Sequence, residues 1–109
     1  MADVQQMTVQ ELKQRLTRPG DRPVLLDVRE GWEVNICALP DALHIPMGQV
    51  AARIQELNPQ QEMVVVCHHG VRSQHVADFL ASRGFNKLYN LQGGVNAWAR
   101  EIDPAMRTY

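Results

Sequence analysis

Two short runs, Val24-Leu25-Leu26-Asp27-Val28 and Met63-Val64-Val65-Val66, limit the folds open to this chain more than any other feature. Both are nearly continuous in apolar residues and rich in β-branched ones, the pattern of strands buried on both faces. They predict central strands of a covered sheet. Stretches of helical period lie between and around them. Thr8-Val9-Gln10-Glu11 has the form of a capping box, and Val9, Leu12 and Leu16 follow at helical spacing until Pro19-Gly20 stops the helix. Val50, Ile54 and Leu57 make a second helical stripe before Asn58-Pro59, and Val76, Phe79 and Leu80 a third that ends at Gly84, placed as a helix C-cap. Lys87-Leu88-Tyr89-Asn90-Leu91 reads as a further strand, followed by Gly93-Gly94 and a short helix through Ala97-Trp98-Ala99. Strands separated by helix-length segments favour right-handed crossovers and a mainly parallel sheet covered by helices. The fold class is α/β, and residues 1–109 are expected to form one domain, since 109 residues with 45% hydrophobic composition bury a core without metals or disulfides.

Charge and cysteine content narrow the function. Eleven basic residues nearly balance twelve acidic ones, which argues against a nucleic-acid or membrane-surface partner. No apolar run has the length of a membrane span, and Met1-Ala2-Asp3-Val4-Gln5-Gln6 lacks the basic-then-apolar pattern of a secretory signal, so a cytoplasmic location is expected. Cys37 and Cys67 are too few for a disulfide scaffold. A free thiol is therefore open to chemistry.

In α/β folds ligands sit beyond the carboxyl ends of the strands. The run Met63-Val64-Val65-Val66 delivers Cys67 to such an end, and His68-His69-Gly70-Val71-Arg72-Ser73 turns directly into the next helix. Successive N–H groups in a tight loop, with the unpaired amides of a helix start, form a concavity that attracts an anion. An ordinary thiol is only about 3% thiolate at pH 7, so such a field favours the reactive form. Arg72 adds a cation, Gly70 suits a turn needing positive φ, and Ser73 offers a hydroxyl near the helix start.

Four segments resemble the rhodanese-like sulfurtransferases: Leu25-Leu26-Asp27-Val28-Arg29-Glu30, His44-Ile45-Pro46, the loop from Cys67 to Ser73, and Leu91-Gln92-Gly93-Gly94-Val95-Asn96-Ala97-Trp98. Each is weak alone; their order and spacing over nearly the whole chain are specific. The resemblance implies a five-stranded, mainly parallel sheet with helices on both faces. It implies that Cys67 attacks the outer sulfur of a small anionic donor such as thiosulfate, and that a thiol acceptor, small molecule or protein, or cyanide, then takes the sulfur from a Cys67 persulfide. It implies no metal and no organic cofactor. The backbone amides of His68, His69, Gly70, Val71, Arg72 and Ser73 would hold the terminal sulfur, and Asp27 and Arg29 would brace the loop.

The chain departs from the family where many relatives carry Gly-His-Ile-Pro-Gly-Ala and it has Cys37-Ala38-Leu39-Pro40-Asp41-Ala42. Cys37 reads as a small buried apolar residue rather than a second redox centre. His68 and His69, with His44 and His75, raise the idea of a metal site, but adjacent residues at a turn rarely aim at one ion and no paired ligand spacing appears. The rings of His68 and His69 are better placed as a pocket rim than as proton carriers, and His75 reads as a helix residue. Trp32 and Trp98 read as packing anchors, Gly93-Gly94 as a tight turn, and Arg72 as equally able to pair with Asp27 or Glu30 or to meet an anionic donor.

Three rivals bound the reading. A cysteine phosphatase loop has five residues between cysteine and arginine, whereas Cys67 and Arg72 enclose four. A non-catalytic binding module of the same fold has no chemical need for a thiol in an intact loop. A sulfur carrier serving one protein partner uses the same residues as a general sulfurtransferase.

Overall fold

The computed structural model describes residues 4–18, 20 and 22–109. Pro19, expected to help stop the first helix, and the Met1-Ala2-Asp3 start lie outside them. Strand β1 (Gln5–Met7) leads into helix α1 (Val9–Leu16), followed by β2 (Val24–Asp27), α2 (Gly31–Ile36), β3 (Leu43–His44), β4 (Met63–Val66), α3 (Val71–Ser82), β5 (Leu88–Leu91) and α4 (Gly94–Glu101). The five strands form one sheet in the order β1-β5-β4-β2-β3. Every pairing is parallel.

The two apolar runs are the central strands, and their period of two divides the core. Leu26, Met63 and Val65 face α3 with Val76, Ala77 and Leu80, while Leu25, Val64 and Val66 face α1 and α4 with Leu12, Val95 and Trp98. A sheet covered on both faces has no side that tolerates polar alternation, which is why both strands read as nearly continuous apolar runs, broken only by Asp27 at the end of β2.

Several local signals fold as written. Thr8 Oγ1 accepts from the Glu11 amide at 3.1 Å, and the Glu11 carboxylate receives the Thr8 amide at 3.3 Å, so the capping box is formed. Gly84 ends α3 with φ 93°, its amide donating to Ala81 O and that of Phe85 to Leu80 O, the paired bonds of a glycine C-cap. Beyond β3 the Ile45 amide donates to Asp27 O and that of Met47 to Val28 O, so Pro46 falls where the edge needs no donor. No helix among the described residues is long and apolar enough to cross a membrane.

The expected helix over Val50, Ile54 and Leu57 is not an α-helix. The chain winds there through two 3₁₀ turns, Met47–Gln49 and Ile54–Glu56, with i to i+3 bonds from Val50 N to Met47 O and from Leu57 N to Ile54 O. Val50 and Leu57 are still buried, with Ile54 packed against them. The apolar spacing identified the inward face correctly, but tighter winding satisfies that face equally well. Trp32 departs further. It is 61% exposed, whereas Trp98 is buried on the sheet-facing side of α4.

Candidate active site

The carboxyl ends of β2, β4 and β5 converge on one edge of the sheet. Cys67 directly follows β4 and is 1% exposed. The Gly70 amide donates to its Sγ at 3.0 Å, and Ser73 Oγ lies 3.2 Å from the same sulfur. Gly70 has φ 100°, the left-handed backbone that turns its N–H back toward the cysteine. Ser73, in the first turn of α3, also donates from Oγ to Asn90 Oδ1. Asn90 Nδ2 donates in turn to Gly70 O at 3.1 Å and to Gln6 Oε1 at 2.9 Å. A buried amide on β5 thus ties both groups that touch the sulfur to the neighbouring strands.

The loop is held from its other side by α4. The Val95 amide donates to Cys67 O at 2.9 Å and that of Asn96 to His68 O at 3.0 Å. Gly93 and Gly94 have φ 79° and 59°, so the pair does make the expected tight turn. Gly94 has a second role that its sequence context does not reveal. A Cβ there would sit 2.3 Å from Cys67 O and 2.5 Å from His68 O, so only glycine lets α4 approach the loop this closely.

Arg72 pairs with neither Asp27 nor Glu30. Its guanidinium meets Glu33 of α2 in two parallel bonds, Nη1 to Oε1 at 2.7 Å and Nη2 to Oε2 at 2.8 Å. Glu33 Oε1 also accepts from the Glu30 amide, and Oε2 from the Tyr109 hydroxyl at 2.7 Å. Arg72, then the Glu30 amide and Tyr109, hold the buried Glu33 carboxyl down at about 2 against the opposing effect of burial. The same bonds raise the affinity of Arg72 for its proton. The cation expected beside the thiol is therefore largely matched by a carboxylate.

Asp27 and Arg29 form a fully buried pair, with Arg29 Nη2 to Asp27 Oδ2 at 2.7 Å. Neither has a bond to the loop. Arg29 instead donates to Cys37 O at 2.7 Å and to the Tyr109 hydroxyl at 3.1 Å, so the pair fixes the end of α2 and reaches the loop through Tyr109 and Glu33. Cys37 is half-buried at that end rather than fully enclosed, with Arg29 Nη1 at 3.8 Å from its sulfur. His68 and His69 lie at the mouth, their ring centroids 3.9 Å apart. Burial, reinforced by His69, lowers the proton affinity of His68. Val71 is 64% exposed on the outer side of α3. His75 is exposed on the same helix, and His44 points away to bond Arg29 O at 2.7 Å. The four histidines are thus not assembled around one point. Among the described residues no group of three or more His, Cys, Asp or Glu side chains is placed to hold a metal ion.

The sequence reading omitted Glu33, Asn90 and Tyr109. Asn90 carried a signal, a lone amide inside an apolar strand, because a buried side-chain amide requires partners. Glu33 and Tyr109 carried none, since their partners lie far along the chain.

A buried cysteine at the end of a central parallel strand, with a loop amide and a hydroxyl at its sulfur, is the centre of the site in this α/β domain. The chain belongs to the rhodanese-like domain family, whose sequence pattern matches residues 8–101. It is 36% identical over 112 residues to the rhodanese-like/PpiC domain-containing protein 12, chloroplastic, of Arabidopsis thaliana, covering 97% of this chain but only 38% of that protein. It is 31% identical to the thiosulfate sulfurtransferase GlpE of Actinobacillus pleuropneumoniae, over 78% of this chain and 79% of that one. The fold is similar to the crystal structure of a rhodanese-like domain protein from Staphylococcus aureus, with a TM-score of 0.81 at 30% identity over 87% and 91% of the two chains.

Proposed function

We propose that this protein is a sulfurtransferase that carries sulfane sulfur on Cys67 from a small anionic donor such as thiosulfate to a thiol acceptor. The observation that carries this reading is the Gly70 N–H that donates to the buried Cys67 sulfur at the end of β4. The Gly70 N–H donated to that sulfur favours the thiolate, the attacking form, and the Ser73 hydroxyl, whose proton goes to Asn90 Oδ1, lies beside it. In the first half-reaction the thiolate attacks the outer sulfur of thiosulfate, a bond forms between the two sulfurs, and sulfite leaves with the electron pair of the bond that breaks. In the second an acceptor thiolate or cyanide attacks the terminal sulfur, and Cys67 is released as the thiolate. The loop amides from His68 to Ser73 bind the terminal sulfur, with Asp27 and Arg29 supporting the scaffold behind them. A family likeness to a thiosulfate sulfurtransferase supports the choice of donor. Two unbridged cysteines suit a reducing, cytoplasmic location.

Intact-mass measurement after incubation with thiosulfate tests the chemistry directly. The wild-type protein and Cys37→Ser gain one sulfur atom that a thiol reductant removes, whereas Cys67→Ser gains none. An adduct retained in Cys67→Ser and lost in Cys37→Ser would falsify the assignment.

A further inference from the structure

Residues 102–109 leave α4 and return to the mouth of the Cys67 loop, where Arg107, Thr108 and Tyr109 border a small recess with His68 and Asn96. Tyr109 is the most connected of them. Its ring lies nearly parallel to the His68 imidazole, 15° between planes and 4.1 Å between centroids, and meets Trp32 in an edge arrangement with centroids 5.6 Å apart. With His69 beside His68, four rings run in series along one side of the entrance. The exposure of Trp32 becomes intelligible here: it ends this series instead of filling the core.

The Tyr109 hydroxyl joins the same series to the charged groups. It accepts from Arg29 Nη1 and donates to Glu33 Oε2, the oxygen that also receives Arg72 Nη2. Burial foremost holds its phenol up at about 12, so the donated proton stays in place across neutral pH.

We propose that Tyr109 is a positioning residue of the Cys67 site, which sets how strongly the entrance favours anionic reagents. It acts through Glu33 on Arg72 and through its ring on His68. The inference deepens the sulfurtransferase reading and rests on it for the identity of the natural anion. The physical reason lies in the shared oxygen. Each donor on Glu33 Oε2 withdraws negative charge from the carboxylate, and the Tyr109 proton leaves more of the Arg72 positive charge unmatched toward the entrance. Without that hydroxyl, Glu33 faces Arg72 with its full charge and the attraction for an incoming anion falls. The ring contributes separately, because its stacking fixes His68 at the rim.

Two alkylating reagents of similar size and different charge separate these effects. Anionic iodoacetate and neutral iodoacetamide are reacted with Cys67 in a Cys37→Ser background, and the ratio of the two rates is read by intact mass. Tyr109→Phe keeps the ring and removes only the hydroxyl. It is expected to lower the iodoacetate-to-iodoacetamide ratio about threefold, with the iodoacetamide rate nearly unchanged. Tyr109→Ala is expected to lower the ratio similarly and also to raise the iodoacetamide rate, since His68 loses its stack. A ratio in Tyr109→Phe equal to that of its parent overturns the proposal, whatever Tyr109→Ala does. Alkylation requires only the thiol, so a failure of thiosulfate to add sulfur would sink the sulfurtransferase reading and leave this result intact.

Discussion

Asp41 shows how a single side chain replaces a family feature. It stands where the resemblance places the second glycine of Gly-His-Ile-Pro-Gly-Ala, and it is the non-glycine residue with positive φ, 61°, among the described residues. The backbone is left-handed there without a glycine, because Asp is one of the few residues that enter that region at modest cost. Its side chain is exposed, with Arg22 3.7 Å away, and contributes little by charge. Asp41→Gly is therefore expected to raise the unfolding free energy in urea by about 0.5–1 kcal/mol, and a β-branched Asp41→Val to lower it by more than that. The reverse order would show that the turn depends on the carboxylate. At this scale the sequence exposed what is local. Cys67, Gly70 and Ser73 lie within one loop, and the chemistry of each residue type suggests its use. Arg72 illustrates the limit: pairing with Asp27 or Glu30 weighs equally with contact to an anionic donor in the sequence, but Glu33, one turn further along α2, accepts it from 39 positions away.

Among the elements, α3 was legible because period, loop and glycine cap agree, and β2 and β4 because burial on both faces leaves them almost wholly apolar. Short β1 and α2 were not. Gln5 and Gln6 are exposed on an edge strand, and α2 has only six residues, too few to show a period. The winding over 47–57 was misread for a different reason. An apolar stripe records which residues face inward, and both α and 3₁₀ turns can place Val50 and Leu57 there. The junction of α4 with the Cys67 loop yields the sharpest prediction at this level. Gly94→Ala puts a methyl against two backbone carbonyls that cannot rotate away, and is expected to cost about 2–4 kcal/mol of stability in urea unfolding and to slow sulfur loading of Cys67 at least tenfold. Gly48→Ala, with open space and ordinary φ, is the matched control and should be close to neutral in both measurements. Equal behaviour of the two variants would show that α4 adjusts freely.

Across the whole molecule, Glu33 joins parts that the sheet does not. Its side chain accepts from α3 through Arg72 and from Tyr109 beyond α4, and its carbonyl lies 3.5 Å from Arg29 Nη1 at the end of β2. This network makes stability depend on acid. The Glu33 carboxyl is depressed from 4.5 to about 2, so its ionised form stabilises the fold fully above pH 4.5, and this contribution is lost as pH falls through about 2. The depression corresponds to about 3 kcal/mol at most, reduced by the partial exposure of Arg72. Urea unfolding of wild type and Glu33→Gln between pH 7 and pH 2.5 should show the wild type more stable by about 2 kcal/mol at neutral pH, with the gap narrowing below pH 4.5. A gap that stays constant with pH would locate the effect in packing instead.

The bonds from Val95 and Asn96 to the carbonyls of Cys67 and His68 have a consequence for the course of the proposed reaction. Those two oxygens are anchored on the far side of the loop, so no peptide there can flip to present a lone pair to the sulfur without breaking a bond to α4. Gly70 is locked likewise, its carbonyl held by Asn90 while its N–H faces Cys67. The lining of the site therefore has a fixed electrical sense before any donor arrives. For the proposed sulfur transfer, in which negative charge moves outward from Sγ to a second sulfur, the surrounding dipoles already point the right way, and the barrier would carry little reorganisation of the protein.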